Sequence, residues 1–253
     1  MNKSQINALI KSFQQELEKS ASPKTKAWWE GYMKHVILFR GVGIPTIREL
    51  LADWRIRTGL DNSSKEAELS LALTFFEGSF AEDKLAGVLY LQDYLLQKFD
   101  WIELLPQLEQ LYHKKLIFDW NVCDWFCVRV LGPGILMWGM AYTEAIAKWN
   151  DASYLWQARS ALIPFIKVAA EKKYYPLIKQ IGSTLIQRDE RFAKTAVGWI
   201  LRDISKYDLI FVSDFMEKQL VYFTIEVLKN ATKYFEETQK KNWIQRFKAI
   251  NNH

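Results

Sequence analysis

The 253-residue sequence has little that would break or cross-link helices: 11 Gly, 6 Pro and 2 Cys. Cys123 and Cys127 are four apart, which is not a C-x-x-C zinc or redox motif. On a helix they share one face, a poor geometry for a disulfide, and their apolar neighbours assign them to packing. A reducing compartment is the expected setting. The three histidines, His35, His113 and His253, lack companion ligands, so neither a metal nor any other cofactor is expected. Long hydrophobic runs are missing too. The amino-terminal stretch MNKSQINALIKSFQQELEKS is amphipathic and repeatedly charged, unlike a signal peptide, and no run is expected to reach transmembrane length. A soluble, cytoplasmic protein without membrane association follows as the expectation. Alternating strand patterns are nearly absent, which argues against a sheet-based fold.

What is present is helical. Apolar residues recur at three and four, as in Ile6, Leu9, Ile10, Phe13 and Leu17, or Leu85, Val88, Leu89, Leu95 and Leu96. Most prolines stand where a helix could begin: Pro23, Pro45, Pro106, Pro133 and Pro176. Nothing in the composition marks an internal boundary, so one domain spanning 1–253 is expected. Eleven Trp, eleven Tyr and fifteen Phe exceed what helix packing alone demands, leaving some rings for a ligand. The net charge of +5 is uneven: residues 1–149 carry 17 Lys+Arg against 18 Asp+Glu, and residues 150–253 carry 17 against 11. A basic carboxy-terminal part favours a polyanionic partner such as nucleic acid.

Small residues inside the helical segments define a weak repeat. Ala86, Cys123, Ala161 and Ala196 are separated by 37, 38 and 35 residues, close to the spacing of helix pairs in HEAT or armadillo arrays. The expected fold is therefore all-α, an α-solenoid of antiparallel helix pairs with a concave face that can follow a rod-like partner. An ordinary helical bundle is the other reading of the same pattern.

Within that frame Trp120 and Asp124 are four apart, so one helix face presents both. Trp156 with Arg159, and Trp199 with Arg202, repeat a Trp-x-x-Arg spacing in the segments that follow. Arg159 lies 35 residues after Asp124, and in a solenoid positions one period apart stand on neighbouring helices. The plain alternative makes Asp124 a surface acid, the indoles core residues, and the arginines solvent-facing caps on apolar surface.

The segments YMKHVILFRGVGIPTIREL, FDWNVCDWFCVRVLG, LWQARSALIPFI and KTAVGWILRD, in this order and spacing, resemble the AlkD-type DNA alkylation repair glycosylases, a family of HEAT-like repeats that wrap duplex DNA. The resemblance runs from about Trp28 to Ser205. It implies hydrolysis of the N-glycosidic bond of N3- and N7-alkylated purines in double-stranded DNA, leaving an abasic site. A solenoid that wraps DNA needs no second copy, so a monomer is expected, nucleoid-associated if the cell is bacterial. Residue by residue, it makes Asp124 the catalytic carboxylate, Trp120 and Trp199 the lesion-contacting aromatics, and Arg159 a DNA contact. Tyr32 falls in the matching amino-terminal motif. Arg40 stands close to the expected groove entrance, and Lys194 and Arg202 join Lys167, Lys172, Lys173, Arg188 and Arg191 as candidate phosphate contacts.

The sequence departs from the family pattern around the carboxylate. Asn121, Val122 and Cys123 replace a run that is often more acidic or hydroxyl-bearing, and bulky Trp125 and Phe126 follow Asp124. These differences bear on substrate range more than on fold. A non-catalytic HEAT-like module that binds DNA structure or another protein is the second functional reading, since fold does not establish activity.

Overall fold

The computed structural model describes residues 1–251, so His253 lies outside the described residues. Among the described residues every regular element is helical, and the one β-type pairing is an isolated bridge between Leu38 and Phe80. The all-α expectation holds. The chain groups into two compact units, Met1–Val130 and Leu131–His253. Their junction falls inside a helical stretch, immediately before Gly132-Pro133-Gly134.

The first unit contains α1 (Lys3–Lys19), α2 (Pro23–Tyr32), α3 (Ile44–Arg57), α4 (Lys65–Phe75), α5 (Ala81–Tyr90), α6 (Trp101–His113) and α7 (Trp120–Phe126). Side chains define many of the starts. Asn2 and Gln5 form a reciprocal capping box on α1, Ser22 caps α2 ahead of Pro23, and Ser64, Asp100 and Asp119 cap α4, α6 and α7. Each cap satisfies an N–H that the first helical turn leaves without a partner. Pro23 and Pro45 stand in the first turns of α2 and α3 as expected. Pro106 does not begin a helix, because Asp100 starts α6 earlier and leaves the proline inside it.

Helix α5 is the centre of this unit: all ten of its residues are buried, and it packs on α3, α4 and α7. Its opening charged residues, Glu82 and Asp83, are fully buried, and Lys84 is 2% exposed. Glu82 Oε1 accepts hydrogen bonds from three successive backbone N–H groups, Arg40 at 3.0 Å, Gly41 at 2.8 Å and Val42 at 3.1 Å. Such a run of inward-pointing amides is an anion cradle, here filled by the chain's own carboxylate. Gly41 makes the cradle possible. It adopts φ +92°, and a Cβ there would come within 2.2 Å of the Ser22 carbonyl at the start of α2.

Arg40 completes the anchor rather than facing a groove. Its side chain is 4% exposed; Nη1 donates to Asp83 Oδ1 at 2.9 Å, Nε donates to Glu18 at 2.6 Å, and the guanidinium lies 3.9 Å from the Phe80 ring centroid. The expected DNA contact at Arg40 is thus corrected to a structural tie between α1, α5 and the loop after α2.

The second unit contains α8 (Gly132–Ala147), α9 (Leu155–Ser160), α10 (Tyr175–Gln187), α11 (Arg191–Ile204), α12 (Leu209–Gln219), α13 (Ile225–Ala231) and α14 (Glu237–Asn251). Helix α11 buries Ala193, Ala196, Val197, Ile200, Leu201 and Ile204 against α9, α10 and α13. The small residues that define the repeat, Ala86, Cys123, Ala161 and Ala196, are all fully buried. Their spacing records where helices must approach closely. Both cysteines are buried, as the packing reading requires.

One helical stretch, Trp120–Asp151, is long and apolar enough to cross a membrane by length and composition, contrary to the expectation that no run reaches that length. Half of its apolar window is buried in the protein, and Gly139 breaks the helical geometry with φ 71° and ψ −149°.

The Glu82 cradle yields a stability prediction. Glu82→Ala strands three buried donors and is expected to cost at least about 3 kcal/mol, read as a lowered urea midpoint. Glu103→Ala, which removes an exposed partner of Lys65, should leave the midpoint nearly unchanged. Equal midpoints for the two variants would show that the cradle carries no stability.

Candidate functional site

Helix α7 starts at Trp120 because Asp119, in extended conformation, turns its Oδ1 onto the Val122 N–H at 2.9 Å. The following seven residues divide by face. Asn121, Val122, Cys123 and Phe126 are buried, and Phe126 packs edge-on to Phe76 and Tyr112. Trp120, Asp124 and Trp125 are half-buried on the other side. The residues that depart from the family pattern are therefore mostly buried. Trp125 is the exception, and the Arg129 guanidinium lies 5.0 Å from its ring centroid.

Helix α2 brings a second aromatic set to the same unit. Trp28 and Tyr32, four apart, are 59% and 54% exposed and stack with centroids 5.3 Å apart and planes 12° from parallel. Tyr32 meets Trp120 edge-to-face at 5.4 Å and 79°. Trp29 contacts both Trp28 and Tyr32 and stacks on buried Phe39. Aromatic pairs of this geometry contribute about 0.5–1.5 kcal/mol beyond area burial. The structure thus unites Tyr32 with Trp120, and adds Trp28, which the sequence reading passed over. Its i, i+4 relation to Tyr32 was the available signal.

Electrostatically, the start of α7 is unusual. Asp119 is 1% exposed, and burial pushes its carboxyl up to about 6; the Val122 and Asn121 amides and Lys84 pull it down, and the charge of Asp124 raises it further. Lys84 sits lower than an ordinary ammonium because it is buried, with Asp119 and Asp83 opposing that shift.

The second unit holds the remaining candidates, and most of its cations are engaged within the protein. Arg159 is 3% exposed, and its Nη1 donates to Phe192 O at 2.6 Å and Thr195 Oγ1 at 3.2 Å. It clamps α9 to α11, where an outward phosphate ligand was expected. Lys194 donates to the carbonyls of Ile186 and Tyr222. Arg188 pairs with Glu190 and the Ala152 carbonyl, Arg191 with Glu226, Lys172 with Asp208 and Lys173 with Glu171. Trp199 is half-buried and donates from Nε1 to Asp203 at 3.1 Å; Asp203 also pairs with Arg202 and Lys206. Lys167 is exposed.

With this geometry in place, comparison with known proteins is informative. The family described as "DNA alkylation repair enzyme" matches residues 13–235. The chain belongs to that family. Membership gives it a role in DNA repair. A solved structure described as a predicted DNA alkylation repair enzyme from Enterococcus faecalis superposes with a TM-score of 0.73 at 20% identity, covering 86% of this chain and 98% of that one. This likeness supports the family's all-helical fold. No curated protein matches the chain.

The clamp role of Arg159 is separable from a phosphate role by stability. Arg159→Ala should lower the stability of the free protein by about 2 kcal/mol or more, because it removes a buried guanidinium together with its charge-assisted hydrogen bonds to α11. Arg202→Ala should change it by less than about 1 kcal/mol. Unaltered thermal unfolding of Arg159→Ala would return Arg159 to the ligand-facing role.

Proposed function

We propose that the protein is a monofunctional DNA glycosylase that hydrolyses the N-glycosidic bond of cationic N3- and N7-alkylated purines in duplex DNA, using Asp124. The observation that carries this reading is the pairing of Asp124 with Trp120 on one side of α7, with Tyr32 packed edge-on against that indole in a chain of the DNA alkylation repair family.

Alkylation at N3 or N7 puts positive charge on the purine, so the base departs as a neutral molecule and no strong general acid is needed. What remains is to stabilise the sugar as it becomes an oxocarbenium ion and to orient a water. An ionised carboxylate beside the anomeric carbon does both. The bond from the sugar to the base nitrogen breaks with its electron pair going to the base. Water then forms the new bond to the anomeric carbon, and its proton passes to the Asp124 carboxylate and on to solvent. The faces of Trp120 and Tyr32 carry negative electrostatic potential, each worth roughly 0.5–2 kcal/mol toward a cation. Neutral purines gain less from such faces, and this is the source of selectivity. In the second unit, Trp199 is offered as a further lesion-contacting aromatic, and Arg202 and Lys167 as phosphate contacts. The protein works as a monomer inside the cell, without a cofactor.

One set of observations favours a second reading. The internal engagement of Arg40, Arg159, Lys194 and Arg188 leaves fewer cations for phosphate than the basic composition suggests, which, within the alternative of a non-catalytic HEAT-like module, suits one that holds a protein.

Base release decides between them. Purified protein should release 7-methylguanine or 3-methyladenine from methylated duplex DNA; Asp124→Asn should abolish release and retain binding, with affinity falling steeply as salt rises. Release at the unaltered rate in Asp124→Asn would remove the carboxylate from the mechanism. Binding without release in the unaltered protein would favour the non-catalytic module, and a flat salt response would favour a protein partner for it.

A further inference from the structure

Asp119 caps α7, yet a cap does not need its charge. Asn and Ser accept the same helix N–H about equally well, and an ionised carboxylate is costly to bury. Here Oδ1 takes the Val122 N–H, while Oδ2 is buried without a hydrogen-bond partner. A cation is held on the adjoining helix to offset this charge. Lys84 of α5, itself 2% exposed, donates from Nζ to the carbonyls of Phe76 and Leu116 and lies 5.0 Å from the Phe118 ring centroid. It therefore pins the segment that leads directly into Asp119. The remaining charged groups that face the pair are Asp83, beside Lys84 on α5, and Asp124, five residues along on α7.

We propose that Asp119 is a positioning residue for Asp124: pinned to α5 through Lys84, it fixes the first turn of α7, and its negative charge deepens the field in which a cationic sugar forms. This rests on the reading of Asp124 as the catalytic carboxylate. The two carboxylates have different tasks. Asp124 meets the sugar; Asp119, buried behind it, acts through the helix and through space.

The sign of the pH dependence follows. Burial and the charge of Asp124 hold the Asp119 carboxyl up at about 6. Below that pH Asp119 is neutral and the field at Asp124 is weakened; above it Asp119 is ionised and the field is complete. Base release therefore rises as pH increases through about 6.

The test compares release of 7-methylguanine from methylated duplex DNA by the unaltered protein and by Asp119→Asn, which keeps the cap acceptor and removes the charge. Between about pH 5 and pH 8 the unaltered protein should show a limb near 6. The variant should lose the limb, and its neutral-pH rate should fall about tenfold, the equivalent of one unit of coupling. A retained limb and rate in Asp119→Asn would overturn the proposal. An independent arm uses carboxyl-carbon NMR of the free protein, with Asp119 assigned from its loss in Asp119→Asn. Its titration should move to lower pH in Asp124→Asn, where the neighbouring charge is gone, and an unmoved titration would overturn the coupling. If the protein releases no base, the Asp124 reading fails by itself, and the NMR shift still decides whether the two carboxylates are linked.

Discussion

Three consecutive charged residues at the start of α5, Glu82, Asp83 and Lys84, are held out of solvent, and the arrangement of the first unit depends on how each is compensated. Burying charge is tolerated only when hydrogen bonds or opposite charge replace water. Glu82 takes the amides of residues 40–42, Asp83 takes the Arg40 guanidinium, and Lys84 takes the carbonyls of Phe76 and Leu116. Through the first two, α5 holds the loop that follows α2. Through the third, it holds the segment that precedes α7. One turn of one helix thus governs both elements that carry the exposed aromatics, and the edge-to-face contact of Tyr32 with Trp120 is its consequence.

This explains what was legible in the sequence. The helices were readable because apolar spacing and caps act locally: the Ile6, Ile10, Phe13 and Leu17 stripe is buried as its period requires. Close helix approach was readable as small residues at repeat spacing. Asp124 and Trp120 could be placed on one face from their separation alone. Burial of Glu82, Asp83 and Lys84 could not be read, because an acidic-acidic-basic run looks like a solvated helix face until the partners brought by the tertiary fold are known. Arg40 was misread for the same reason, and Arg159 meets α11 in the free protein. A guanidinium suits phosphate, carboxylate and carbonyl alike, and only its neighbours decide which it meets.

The basic excess of the carboxy-terminal part takes on a different meaning in the structure. Much of it is matched by nearby acids or by helix-end carbonyls, as at Arg191 with Glu226 and Lys194 with the Ile186 and Tyr222 carbonyls. Such cations stiffen helix pairs. The proposed function then rests less on bulk positive charge than on aromatic surface, which the Trp28–Tyr32–Trp120 cluster provides in the first unit. Negative aromatic faces and carboxylates suit a lesion that is itself cationic, whereas an undamaged base gains little there. Under the proposed function, discrimination would arise from the charge of the damage.

The most direct test of this account is a crystal structure of the Asp124→Asn protein with duplex DNA containing a single 7-methylguanine. The account predicts that the side chain of residue 124 lies within roughly 3–4 Å of the anomeric carbon of the damaged nucleotide, with Tyr32 and Trp120 against its sugar or base. A damaged nucleotide seated away from α7, with the Trp28–Tyr32–Trp120 cluster facing no DNA, would contradict it.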